Sequence, residues 1–244
     1  MLAEIGHMSL ILAFSLSCLH FFASIKATVS NNQASFIYVS KPLMIIISSL
    51  LIISFLKNVS CERNEINIFR NISFIVNEGS FIIIKGGNGS GKTSLLLGLA
   101  GSLSLKGNII WNKRVNSIGY VGHKNALKDN EKVIDYINFW RKFYRSPLKK
   151  KDLIIKHSLK KILDYPTHLL SYGQKKLLSI IRLKMTNSSV WLLDEPLSGL
   201  DNRNKQLVLD NIEEHNENRG ATIMTTHDEY YLKSKSNFEE INID

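Results

Sequence analysis

The chain has 244 residues, a formal charge of +10, and an apolar fraction of 44%. That apolar content excludes a disordered chain, and the length suits one medium domain, or one domain plus an appendage. The basic balance is compatible with nucleic acid, anionic lipid or nucleotide partners without choosing among them, and Cys18 and Cys61 stand at no metal or disulfide spacing.

Residues 8–25 contain no Asp, Glu, Lys or Arg, and residues 42–56 (PLMIIISSLLIISFL) are almost continuously apolar. A membrane-spanning helix needs about 20 apolar residues, with a lower limit near 17. The first stretch meets that length, and the second does so only by borrowing SFIYVS before Lys41. A secretory signal wants early basic residues, where this chain has Glu4. A mitochondrial presequence wants arginines, and the first is Arg63. The expectation is therefore a retained membrane segment over residues 1–57, with one or two transmembrane helices.

From residue 58 the character changes to β-like alternation in NISFIVNEGS, where Ile72, Phe74 and Val76 face one side of a strand. The domain boundary is placed there, giving a second unit of residues 58–244. Within it SFIIIKG reads as a buried strand, KTSLLLGLAG as a helix and SIGYVGH as another strand. Residues 131–164 read as helical, LLSIIRLKM as a helix, and SVWLLDE and GATIMTTH as strands. Strands separated by helices predict an α/β domain with a mostly parallel, covered sheet.

The strongest motif is GGNGSGKT, comprising Gly86, Gly87, Asn88, Gly89, Ser90, Gly91, Lys92 and Thr93. It fits G-x-x-x-x-G-K-[ST], follows a strand and opens a helix. Backbone N–H groups of such a loop turn inward around phosphate oxygens, and the helix N-terminus adds a favourable field. Lys92 is expected to bridge the β- and γ-phosphates of ATP, and the Thr93 hydroxyl to ligate Mg²⁺. VWLLDEP supplies a buried strand ending at two carboxylates. Asp194 is expected to hold Mg²⁺, and Glu195 to polarise the attacking water as general base.

LLSYGQKK (169–176) resembles the LSGGQ signature of ABC ATPases, and SGLD (198–201) and TTHD, with His227, follow in that family's order. The resemblance implies a P-loop NTPase of ABC type: a mostly parallel core, an antiparallel β subdomain, and a short helical subdomain over about 125–172. It implies that two copies sandwich two Mg-ATP. Ser171, Gly173 and Gln174 would then serve the nucleotide bound to the second copy, Asp201 would couple the two sites, and His227 would hydrogen-bond the γ-phosphate. YVGHKNALK (120–128), VIDYINFW (133–140) and WLLDEPLSGLD (191–201) are further similar to the ATP-binding subunit of the haem exporter of cytochrome c maturation. That likeness covers about residues 58–230 and implies integral membrane partners, with any haem contact in those partners. MLAEIGHMSLILAF resembles the first transmembrane helix of the large haem-lyase subunit of the same pathway.

Two positions depart from the family. Its Q-loop glutamine, a nucleotide-site residue, falls on Lys124, and an ammonium cannot ligate a cation. Lys124 is left to pair with phosphate, or Asn125 to take the polar contact. No aromatic stands near Arg63 to stack adenine; Phe69 is the nearest and reads as core. An ABC-type ATPase acting on DNA would insert long coiled coils between P-loop and signature. Here Lys92 and Ser171 are 79 positions apart without sustained heptads, and no nucleic-acid partner is expected. The basic run 141–161 reads as a solvated helix face, or as a surface near lipid headgroups. With 30 Ile, 22 Asn and 23 Lys against 8 Arg, the composition leans to an AT-rich genome. The expected location is an inner membrane, with the ATPase domain on the mitochondrial matrix face or the bacterial cytoplasmic face.

Overall fold

The computed structural model describes residues 52–63, 66–113, 115–227 and 238–243. The expected membrane segment lies outside these residues except for 52–57, and among the described residues no helix is long and apolar enough to cross a membrane. Residues 52–57 instead begin strand β1 (Ile52–Arg63). The apolar run conceals an alternation: Ser54 and Leu56 are buried, whereas Phe55 and Lys57 are exposed. Leu56 pairs with Ile109 and Ser54 with Trp111, so this segment is sheet, and the folded unit begins about five residues before the boundary read from sequence.

β1 lies between β2 (Ile66–Asn77) and β4 (Lys106–Trp111) in a three-stranded sheet, antiparallel to β4. Ile72, Phe74 and Val76 are buried on the expected face of β2, and Ile75 between them is exposed. The second sheet has five strands in the order β5-β6-β7-β3-β8, from β3 (Phe81–Lys85), β5 (Ile118–Val121), β6 (Val190–Asp194), β7 (Ala221–Thr225) and β8 (Glu239–Asn242). All four pairings in it are parallel.

Both faces of this sheet are covered, which explains its unbroken apolar strands. Ile82, Ile84, Val190, Leu192 and Ile223 pack towards the antiparallel sheet and helix α1 (Lys92–Leu99). Ile83, Trp191, Leu193 and Met224 pack towards α4 (Tyr172–Met185) and α5 (Asn202–Glu217). The helical subdomain is not one continuous helix over 131–164. Helix α2 (Val133–Phe143) stops before Arg145, at φ 49°, and Pro147, and α3 (Lys150–Lys156) follows. Val133, Tyr136, Ile137, Leu153 and Leu159 of this subdomain bury against Leu177, Leu178 and Ile181 of α4.

Candidate active site

Three expected nucleotide-site elements meet at the C-terminal edge of the parallel sheet. β3 delivers the glycine-rich loop, β6 the carboxylates and β7 the histidine, around a cavity of about 910 Å³. Asn88, Gly89, Gly91, Lys92, Thr93, Asp194, Glu195 and His227 all line it. Gly91 ends the loop at φ 95°, and a Cβ there would lie 2.4 Å from Ile68 and 2.7 Å from Phe69. Glycine is therefore required on both conformational and steric grounds. Phe69 beneath it is 2% exposed, so it is core, while Ile68 lines the cavity and offers its apolar surface.

Lys92 is buried and folds back over the loop. Its Nζ donates to the Gly86 and Gly87 carbonyls, each at 2.8 Å. These are uncharged acceptors, so an incoming anion competes for the ammonium on favourable terms. Thr93 Oγ1 donates to Asp194 Oδ2 at 2.9 Å, across 101 positions of sequence. Two hard oxygen donors at this spacing fit Mg²⁺.

Thr225 holds the carboxylate pair in place. Its hydroxyl donates to Asp194 Oδ1 at 2.8 Å and accepts the Glu195 backbone N–H at 2.9 Å. Glu195 has φ 49°, a conformation that costs a non-glycine residue about 1–3 kcal/mol. That turn leaves Glu195 Oε1 buried without a hydrogen-bond partner. His227 Nε2 stands 3.5 Å from it, beyond good hydrogen-bonding distance. Glu195 nevertheless lines the cavity, where a carboxylate can act as a base towards bound water. Burial, together with the nearby Asp194 charge, pushes the Tyr120 hydroxyl up to about 12, so it stays protonated beside the site.

Ser171, Gly173, Gln174 and Asp201 do not line the cavity of their own chain. Ser171 caps α4: its Oγ accepts from Gln174 N at 3.2 Å, and Gln174 Oε1 accepts from Ser171 N at 2.9 Å. Asp201 caps α5 through Asn204 N at 2.8 Å and binds the Asn204 amide at 3.0 Å. A Cβ on Gly173 would lie 2.8 Å from that same amide nitrogen, so the signature and the SGLD turn abut.

Lys124 points the reading elsewhere. It lines a neighbouring cleft of about 320 Å³ with His123, Asn125, Tyr172 and Lys175 and is absent from the nucleotide cavity, which His123 also lines. Lys205 and Thr226 also line the nucleotide cavity. No motif singles out these three in the sequence: His123 stands beside the aligned glutamine position, Thr226 beside His227 in TTHD, and Lys205 in a helix, α5, without a motif.

A phosphate-cradling loop, paired carboxylates, a capped signature helix and a histidine at the end of the next strand define an ATPase of the ABC class. The chain matches the ABC transporter family over residues 69–198. It is 37% identical over 185 residues to the cytochrome c biogenesis ATP-binding export protein CcmA of Wolbachia pipientis wMel, covering 70% of this chain and 87% of that one. The protein of the same name from Rhizobium etli is 34% identical over 192 residues, covering 73% and 89%. The fold superimposes on a solved ATP-binding subunit of an ABC transporter with a TM-score of 0.66 at 18% identity, covering 78% of this chain and 85% of the other. It also superimposes on an ATP-binding cassette in its ADP conformation, with a TM-score of 0.60 at 20% identity, covering 72% and 82%. The chain belongs to the ABC transporter family and, within it, to the cytochrome c biogenesis ATP-binding export proteins.

Proposed function

We propose that this chain is the ATP-hydrolysing subunit of a membrane export complex for c-type cytochrome biogenesis, with haem as the species handled by its membrane partners. The observation that carries the reading is the Thr93–Asp194–Thr225–Glu195 network at the mouth of the phosphate loop. Lys92 and the loop amides bind the β- and γ-phosphates. Thr93 and Asp194 hold Mg²⁺, which when bound neutralises charge on the phosphate oxygens. Glu195 takes the proton of the attacking water, and His227 orients the γ-phosphate beside it.

The capped Ser171 face, Gly173, Gln174 and Asp201 lie away from their own cavity, which supports their serving the nucleotide of a second copy. ATP binding then closes two copies, hydrolysis releases them, and the membrane partners move with that cycle. His123 supplies the Q-loop contact with the nucleotide, and Lys124 faces the adjoining cleft, where a partner element docks. The residues before β1 anchor the chain in an inner membrane, with the ATPase unit, from residue 52, on the matrix or cytoplasmic side.

Co-purification with the membrane partners tests the proposal. The complex is expected to carry haem and to release it only with hydrolysable ATP. A partner-bound complex that hydrolyses ATP yet never contains haem would refute the cargo assignment.

A further inference from the structure

Helix α4 presents three side-chain donors at three-residue spacing, and one helical face carries them all. Lys176 Nζ donates to the Gly122 carbonyl at 3.1 Å, Ser179 Oγ to the Asn125 carbonyl at 2.9 Å, and Arg182 Nη1 to the Ala126 carbonyl at 3.3 Å. These carbonyls belong to the segment leaving β5, which includes His123. Lys176 is fully buried, and its Nζ meets only uncharged groups, the Gly122 carbonyl and the Tyr172 ring face 5.8 Å away. Burial holds its ammonium below the ordinary lysine range, and the Asp194 and Glu195 carboxylates draw it back up. A buried charge costs several kcal/mol, and a Leu or Met would fill the same volume without that cost. The retained charge therefore points to function.

We propose that Lys176 is a positioning residue for ATP hydrolysis, the buried strut through which the signature end of α4 sets the turn that presents His123 in the same chain. The inference rests on the ATPase reading above. Ser171 and Lys176 are five residues apart on one helix, about 7.5 Å of rise, so they move as a unit. Ser171 faces the nucleotide of the second copy, and Lys176 holds the backbone next to His123, which lines the chain's own cavity. A displacement of α4 by one nucleotide is thereby delivered to the other site.

Lys176→Met, which keeps the volume and removes both donor and charge, is tested in the full chain with its membrane partners. The expected result is an unchanged Kd for ATP, a kcat lowered by about tenfold, and a Hill coefficient for ATP falling towards one. A tenfold loss is about 1.4 kcal/mol of barrier. Lys176→Gln keeps a donor for Gly122 but no charge, so it should lower kcat while preserving the Hill coefficient. Lys176→Met with wild-type kcat and cooperativity overturns the inference. If Lys176→Met fails to fold, Lys176→Gln decides: a lowered kcat at unchanged Kd upholds the strut, and wild-type kcat overturns it. A wild-type complex without ATPase activity would instead overturn the functional reading itself, and this inference with it.

Discussion

Thr225→Val is the sharpest probe of the carboxylate pair. Valine matches threonine in volume, and the site is fully buried, so no cavity forms and no water replaces the hydroxyl. Two hydrogen bonds disappear: one to the ionised Asp194 carboxylate (2.8 Å) and one from the Glu195 N–H (2.9 Å). A bond to a charged group contributes about 1.5–3 kcal/mol and a neutral one about 1 kcal/mol, so the expected loss is about 3 kcal/mol. For a chain of this size that lowers Tm by roughly 6–12 °C, read by calorimetry. The same loss frees Glu195 from its φ 49° turn, so kcat should fall more than ATP affinity, which depends on Lys92 and the loop. Thr225→Ser keeps the hydroxyl and loses a buried methyl, about 1 kcal/mol, and should retain activity. A Thr225→Val protein with wild-type Tm and kcat would refute the reasoning, because the hydroxyl would then hold nothing.

Glu195→Gln should abolish hydrolysis and trap an ATP-bound dimer, measured by size-exclusion chromatography with and without ATP; normal turnover would dismiss Glu195 as the base. His123→Ala should reduce ATPase activity more than Lys124→Gln does, whereas Lys124→Gln should alter stimulation by the membrane partner, compared in steady-state assays. The reverse ranking would return the Q-loop role to Lys124. His215 stacks on Trp191, with centroids 4.1 Å apart, and burial lowers its pKa from 6.5 to about 4. The unfolded chain therefore binds the extra proton first, and stability is lost as pH falls from about 6.5 to about 4, by up to about 3 kcal/mol. His215→Phe keeps a stacked ring and should flatten the denaturant-midpoint profile across that window by one proton's worth; an unchanged slope would place the acid sensitivity elsewhere.

How much of this was legible in the sequence depended on whether a residue's role was local. β3, β6 and β7 could be read because burial on both faces leaves unbroken apolar runs, and α1 because the phosphate loop must open a helix. β1 was hidden because Phe55, a large apolar residue, points outwards, so SFLK continued the preceding apolar run instead of alternating visibly. β4 and β8 were missed for the opposite reason. KGNIIW carries Ile110 at 60% exposure, and EEIN has a single apolar residue, so pairing with neighbours, not composition, makes each a strand. The break within 131–164 was signalled by Pro147, but the strong amphipathic pattern on either side outweighed it.

The site shows the same division more finely. Phosphate-loop chemistry is contiguous in sequence, so Gly86 to Thr93 could be read as one motif without a structure. The Q-loop cannot be assigned in that way, because its residues have no ladder and their direction is imposed by another element. Lys176, Ser179 and Arg182 grip three carbonyls between residues 122 and 126, and Ala126 adopts φ 50° within that grip. An alignment that matches letters places the nucleotide-facing residue at 124. The carbonyl of Gly122 is held by Lys176, His123 after it lines both the cavity and the adjoining cleft, and Lys124 lines only the cleft. Lys124 thus lies outside the cavity that Thr93 and Asp194 line. Lys176, 52 positions beyond Lys124, holds the backbone carbonyl two residues before it.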